Sequence, residues 1–136
     1  SMGRRVPSAI TISVPSTKYV AEADYFGMVS GKHTNKFEDT GLTAMGSDTV
    51  DAPYVGEFPL VLECNVIHIH EIGLHTQFVG QIVGIKADEE ILNDKDLPIM
   101  DRGAPVVFAP GIREYRALGE IVGRAFDIGK KFGRQR

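Results

Sequence analysis

The chain has 136 residues, a net charge of -3, and a composition that is 43% hydrophobic and 24% charged. That suffices for one domain with its own core, and the mild acidity excludes the basic face on which nucleic-acid binding depends. One cysteine, Cys64, rules out an intrachain disulfide and fits a reducing, cytoplasmic setting. No apolar run is long enough to cross a bilayer, so no membrane partner is expected.

Ser1-Met2 reads as a cloning remnant, and residues 1–8 as an opening outside the domain. The run Ala9-Ile10-Thr11-Ile12-Ser13-Val14 alternates apolar with small polar residues and is rich in β-branched types. It predicts a half-buried strand closed by Pro15. Ser16 or Thr17 then caps a helix with Glu22 to Tyr25 in its body and a stripe of Val20, Ala23, Phe26 and Gly27. A short helical turn follows at Asn35 to Asp39, stopped by Gly41. Residues 43–59 carry Gly, Ser, Asp and prolines without a period, which predicts loop with one short strand.

Two strand-like runs come next, Leu60 to His70 and His75 to Lys86, joined through Glu71-Ile72-Gly73-Leu74. Gly73 suits the positive φ of a hairpin turn. Both runs are apolar on both faces, which predicts strands buried on both sides, inside a barrel or at a subunit interface. Gly80 and Gly84 mark bending or close backbone approach. Cys64, among apolar neighbours, reads as a small buried hydrophobe. Beyond it, Ala87 to Asn93 predicts a short helix, Val106-Val107-Phe108 a strand ending at Pro110-Gly111, and Leu118 to Lys131 a helix. Residues 132–136 read as a basic, solvated tail. The class is α+β, mainly β, with accessory helices.

Several stretches, taken in order, resemble the flavoredoxins of the flavin reductase-like family. They are Ser16-Thr17-Lys18-Tyr19-Val20 through Ala23-Asp24-Tyr25-Phe26-Gly27, and Ser30-Gly31-Lys32 with Asn35-Lys36-Phe37 and Thr40-Gly41-Leu42-Thr43. Asp51-Ala52-Pro53-Tyr54-Val55 leading to Phe58-Pro59-Leu60-Val61-Leu62-Glu63-Cys64 follows. Gly73-Leu74-His75-Thr76-Gln77-Phe78-Val79-Gly80 and Leu118-Gly119-Glu120 with Gly123-Arg124-Ala125-Phe126 complete the set. The resemblance runs from about Ala9 to Lys131.

It implies an FMN-binding split β-barrel, usually dimeric, with FMN at the dimer interface and NAD(P)H as an electron donor. Lys36 then matches a lysine at the flavin, His75 the histidine beside the ring edge, and Phe108 an aromatic against the flavin. Ser30 and Lys32, in the loop of Lys36, are carried over with it. These types suit the role, because reduced flavin is negative around N1 and its C2 carbonyl. A lysine supplies charge, a histidine a hydrogen-bond donor, and a phenylalanine an apolar wall. Taken singly, a loop lysine is a solvated side chain and Phe108 a core residue; the ordered match is what assigns them.

The family's domain opens with barrel strands and a flavin-holding turn that Met2-Gly3-Arg4-Arg5-Val6-Pro7-Ser8 does not match. The expectation is an incomplete split barrel over residues 9–131, whose open sheet edges pair between subunits as a homodimer or higher oligomer. Two other readings compete with an active flavoprotein. One is a non-catalytic dimeric remnant that has lost FMN. The other is a metal site from His68, His70, Glu71 and His75, in which His68 and His70 share a strand face.

Overall fold

A computed structural model describes residues 6–133. Residues 1–5 of the expected opening and 134–136 of the expected tail lie outside it. The alternating run forms strand β1 (Ala9–Val14). It pairs antiparallel with β4 (Leu60–Ile72), and β4 with β5 (His75–Ala87), giving a sheet in the order β1-β4-β5. β2 (Ala44–Gly46) and β3 (Pro53–Val55) form a small ribbon, and β6 (Val106–Ala109) and β7 (Glu114–Ala117) a second. The result is an open, mainly β architecture.

Helix α1 (Val20–Met28) follows a 3-10 turn at Thr17–Tyr19. Neither expected cap holds it: Ser16 makes no side-chain cap bond and instead bridges to Pro105. The second helical turn is α2 (Lys36–Thr40), and its ends are as its residues predict. The Asn35 side chain accepts from the Glu38 N–H at 3.2 Å, a cap of about 1 kcal/mol. Gly41 closes it at φ 73°, which a side chain resists. A further turn, α3 (Met100–Gly103), has no periodic signal in the sequence.

The core lies between α1, α2 and the β2–β3 ribbon. Leu42, Val55 and Phe58 are buried there, with Tyr19, Ala23, Phe26 and Phe37 packed against them. Each full burial of such an aliphatic or aromatic side chain contributes about 1.5–3 kcal/mol. The ribbon covers one face of the main sheet. Thr11 donates to the Pro53 carbonyl, and the Val55 N–H donates to Ser13 Oγ at 3.2 Å. Lys86, opposite Val61, lays its ammonium 5.5 Å from the Tyr54 ring centre. Glu63 is buried on this face and accepts from the Ser47 hydroxyl, which in turn accepts from the N–H groups of Thr49 and Val50.

In a single copy the long strands are not buried on both faces: burial is confined to the Val61–Cys64 end, and beyond Val66 both strands are open to solvent apart from partial cover at Val79 and Gly80. Two β-bulges explain how the apolar pattern survives this length. Glu63 faces Gly84 but Cys64 faces Ile82, so Val83 is extra; Val66 faces Gly80 but His68 faces Val79, so Ile67 is extra. With those two residues set aside, Ile12, Leu62, Ile82, Ile85, Ile69 and Phe78 fall on one face, opposite the ribbon. Cys64 on that face is buried, while Ile12, Ile82, Ile85 and Phe78 are exposed, Ile85 at 62%.

Three other differences are local. Ala87 to Asn93 holds only a 3-10 turn at Glu89–Ile91. The expected loop 43–59 contains two short strands, since Tyr54 and Val55 are held by the sheet below them. The expected helix from Leu118 to Lys131 does not form; residues 118–124 are irregular and a 3-10 turn at Ile128–Phe132 is all that is helical. Gly119, Gly123 and Gly129 weaken a helix there, and Phe126 at φ 58° cannot belong to one.

Cys64 is buried as expected, and so is the reason for Gly80. A Cβ added at Gly80 meets Cys64 Cβ at 2.9 Å, a clash with an atom that cannot swing away. Gly80→Ala is expected to destabilise the fold by about 1–3 kcal/mol through overpacking. A urea midpoint equal to that of the parent contradicts this packing.

Candidate functional site

Three of the residues singled out by sequence lie on the loop between α1 and α2. Ser30 organises it: its carbonyl accepts from the His33 N–H at 3.2 Å and the Thr34 hydroxyl at 2.8 Å, and its Oγ accepts from the Lys32 N–H at 3.2 Å. Lys32 itself is exposed. Lys36 opens α2 and reaches back, its Nζ donating to the Phe26 carbonyl at 2.6 Å and lying 5.9 Å from the Phe26 ring centre. The ammonium thus meets the negative, C-terminal end of α1. Phe26 stands edge-on to Phe37 at 5.3 Å, which holds the two helices at that angle. An ammonium has three donors, so two N–H directions of Lys36 remain for a ligand.

Phe108 lies on β6, half-exposed, with its ring 5.2 Å from that of Tyr115 on β7. This ribbon is fixed to α1 at two points. Tyr115 Oη donates to Asp24 Oδ1 at 2.7 Å, and the Thr17 N–H donates to the Ala104 carbonyl at 2.8 Å. Helix α1 therefore carries both groups, the Lys36 loop at its end and the Phe108 ribbon on its flank. Tyr25 on the same helix donates to Asp39 Oδ2 at 2.5 Å and ties α1 to α2. Sequence reading missed Asp24, Tyr25 and Tyr115, because a tie spanning 91 positions leaves no local pattern.

His75 is apart from the other four. It begins β5 opposite Ile72, at the exposed tip of the hairpin. Lys36 is half-buried, whereas Ser30, Lys32, His75 and Phe108 are exposed. A nearby apolar cleft of about 310 Å³ is bounded by Ala23, Phe26, Phe37, Tyr54, Val55 and Phe58.

The metal reading fails on geometry. Among the described residues no three His, Cys, Asp or Glu side chains converge on one point. His68 and His70 do stack, with ring centres 6.0 Å apart. Strand alternation sends Glu71 to the other face, and His75 lies across from Ile72, one pleat further along the hairpin than His70.

This architecture is that of the split β-barrel flavoproteins. The model of the flavin reductase like domain matches residues 7–118, and the chain belongs to that family. A flavoredoxin of Desulfovibrio vulgaris (Miyazaki F) is 50% identical and superposes with a TM-score of 0.85 over 90% of this chain and 66% of its own. A flavoredoxin from Methanosarcina acetivorans gives a TM-score of 0.84 at 26% identity, over 91% of this chain and 65% of its own. An uncharacterized protein of Archaeoglobus fulgidus is 35% identical over 74 residues, 54% of this chain and 42% of its own length. The chain therefore spans about two thirds of the flavoredoxin structures and under half of that relative.

The bond to Asp24, reinforced by desolvation and by the Asp24 charge, holds the Tyr115 phenol above its ordinary 10.0. A raised value means the contribution is fully present below pH 10 and is lost as pH rises through the folded value. Amide exchange in the β6–β7 ribbon is expected to accelerate in that alkaline window, and in Tyr115→Phe to be already fast at neutral pH with no further alkaline step. An identical alkaline profile in both proteins contradicts the tie.

Proposed function

We propose that the protein binds FMN and works as a flavoredoxin-like electron carrier, with NAD(P)H as the electron donor and a homodimer as the working form in the cytoplasm. The observation that carries this is the 50% identity to a flavoredoxin over 90% of the chain. The donor set fits a flat, phosphorylated, electron-accepting ring. Lys36 keeps two N–H directions free, Lys32 offers an exposed ammonium, and Phe108 presents half of a ring face.

Bound FMN supplies the acceptor for hydride or single electrons. The chain's own residues do the rest. Lys36 and Lys32 set positive charge beside the anionic parts of the cofactor, which favours its reduced form. Ser30 shapes the loop that carries them, Phe108 shields the ring from water, and His75 orients the ring edge or the incoming donor by hydrogen bonding. Because His75 lies at the hairpin tip, apart from the Lys36 loop in one copy, a site drawing on two copies accounts best for all of them.

A non-catalytic remnant is the second reading. It is favoured by the exposure of Ser30, Lys32, His75 and Phe108 in a single copy.

The visible spectrum separates the two. Protein incubated with FMN and desalted is expected to keep the flavin bands; a colourless product ends the flavoprotein reading. Lys36→Ala is expected to weaken FMN retention about tenfold, equivalent to about 1.4 kcal/mol. His75→Ala is expected to slow NAD(P)H-dependent reduction while retaining colour, and parental rates in that variant remove His75 from the site.

A further inference from the structure

We propose that Asp24 and Tyr115 are positioning residues that set the Phe108 ring against the bound flavin, in a fixed relation to the Lys36 ammonium. This deepens the FMN reading and rests on it.

Phe108 depends on an anchor outside its own ribbon. β6 and β7 are four residues each, and a two-stranded ribbon of that size is marginal in water. Its base is held beside the start of α1, where Ser16 bridges to Pro105 and the Thr17 N–H donates to the Ala104 carbonyl at 2.8 Å. Phe108 lies three residues past Pro105, roughly 10 Å along a strand that rises about 3.4 Å per residue. A tie at the base is too distant to fix a ring there.

The tie at the level of Phe108 is Tyr115. The two residues are direct partners in the ladder, and their ring centres lie 5.2 Å apart at 33°. At its other end Tyr115 donates from Oη to Asp24 Oδ1 at 2.7 Å. The acceptor is a carboxylate, which makes the bond stronger than one between neutral groups. A tyrosine has only two side-chain torsions, so anchoring Oη settles both and presents a fixed face to Phe108. Phe108 has no polar side-chain atom of its own, so ring contact is what selects its orientation.

Three consecutive residues of α1 serve three partners. Asp24 holds the ribbon, Tyr25 donates to Asp39 of α2, and the Phe26 carbonyl accepts from Lys36 Nζ at 2.6 Å. Successive residues of a helix project roughly 100° apart, so chain neighbours reach different elements. The charged group and the ring are thus carried by one turn of one helix. Releasing Asp24 frees the ring and leaves the Lys36 anchor in place.

Affinity for FMN and the visible circular dichroism of the bound flavin test this, since that dichroism follows the asymmetry of the groups stacked on the ring. Tyr115→Phe removes only a hydroxyl, and Asp24→Ala removes its acceptor. Each is expected to raise the FMN dissociation constant about fivefold, the order of one aromatic contact, and to weaken the flavin dichroism while the far-ultraviolet spectrum is unchanged. Asp24→Asn keeps an acceptor oxygen and is expected to stay within about twofold of the parent. In a Phe108→Ala background neither change is expected to add a further loss, because the effect passes through the ring. Equal losses with and without Phe108 overturn the positioning role. So does parental affinity and dichroism in both Asp24→Ala and Tyr115→Phe. If Asp24→Ala does not fold, Tyr115→Phe alone, with and without Phe108, decides the question. A parent that retains no flavin overturns the FMN reading and this role together, whereas a parent and variants that retain it equally overturn this role alone.

Discussion

The antiparallel pairing of β4 with β5 is the constraint on which the molecule depends. Gly73, at φ 58°, lets a two-residue connection join two strands of 13 residues each. Their register then sets where everything else can sit. It places Gly84 beside Glu63, leaving space for the carboxylate that holds Ser47, and it places Gly80 against Cys64. A shift of one residue would turn the covered polar row outward and bring the apolar row under the ribbon. The two bulges, at Val83 and Ile67, keep one face apolar along most of the hairpin.

A sheet built this way is one-sided. The ribbon, through Thr11, Ser13 and Lys86, covers one face; the other keeps isoleucines and a phenylalanine in solvent. Helix α1 plays the matching part on the functional side, since it holds the Lys36 loop through the Phe26 carbonyl and the Phe108 ribbon through Asp24. The groups proposed to face the cofactor are thus fixed to one helix and one hairpin tip.

Much of this was legible in the residues. β1 alternates, Asn35 and Gly41 punctuate α2, and Gly73 marks the hairpin, because each depends on near neighbours and on φ alone. The family was legible because its motifs keep their order. Burial was less legible: the apolar residues of β4 and β5 implied cover within a barrel or by a second subunit, and hydropathy records what benefits from burial, not which surface provides it. The segment from Leu118 to Lys131 misled for a related reason. Its apolar spacing matched a helix, while three glycines and the bend at Phe126 weakened the backbone bonds a helix needs.

The site divides along the same line. Ser30, Lys32 and Lys36 share a loop because they are close in the chain, and the sequence alone placed them together. The sequence also determined the hairpin, the α2 caps and the burial of Cys64, all of which follow from short-range sterics and local polarity. Only the tertiary structure decided that Asp24 and Tyr115 join α1 to the Phe108 ribbon, that His75 stands apart at a tip, and which face of the sheet the ribbon covers. Those outcomes depend on contacts between residues far apart in the chain, whose pairing no local pattern encodes.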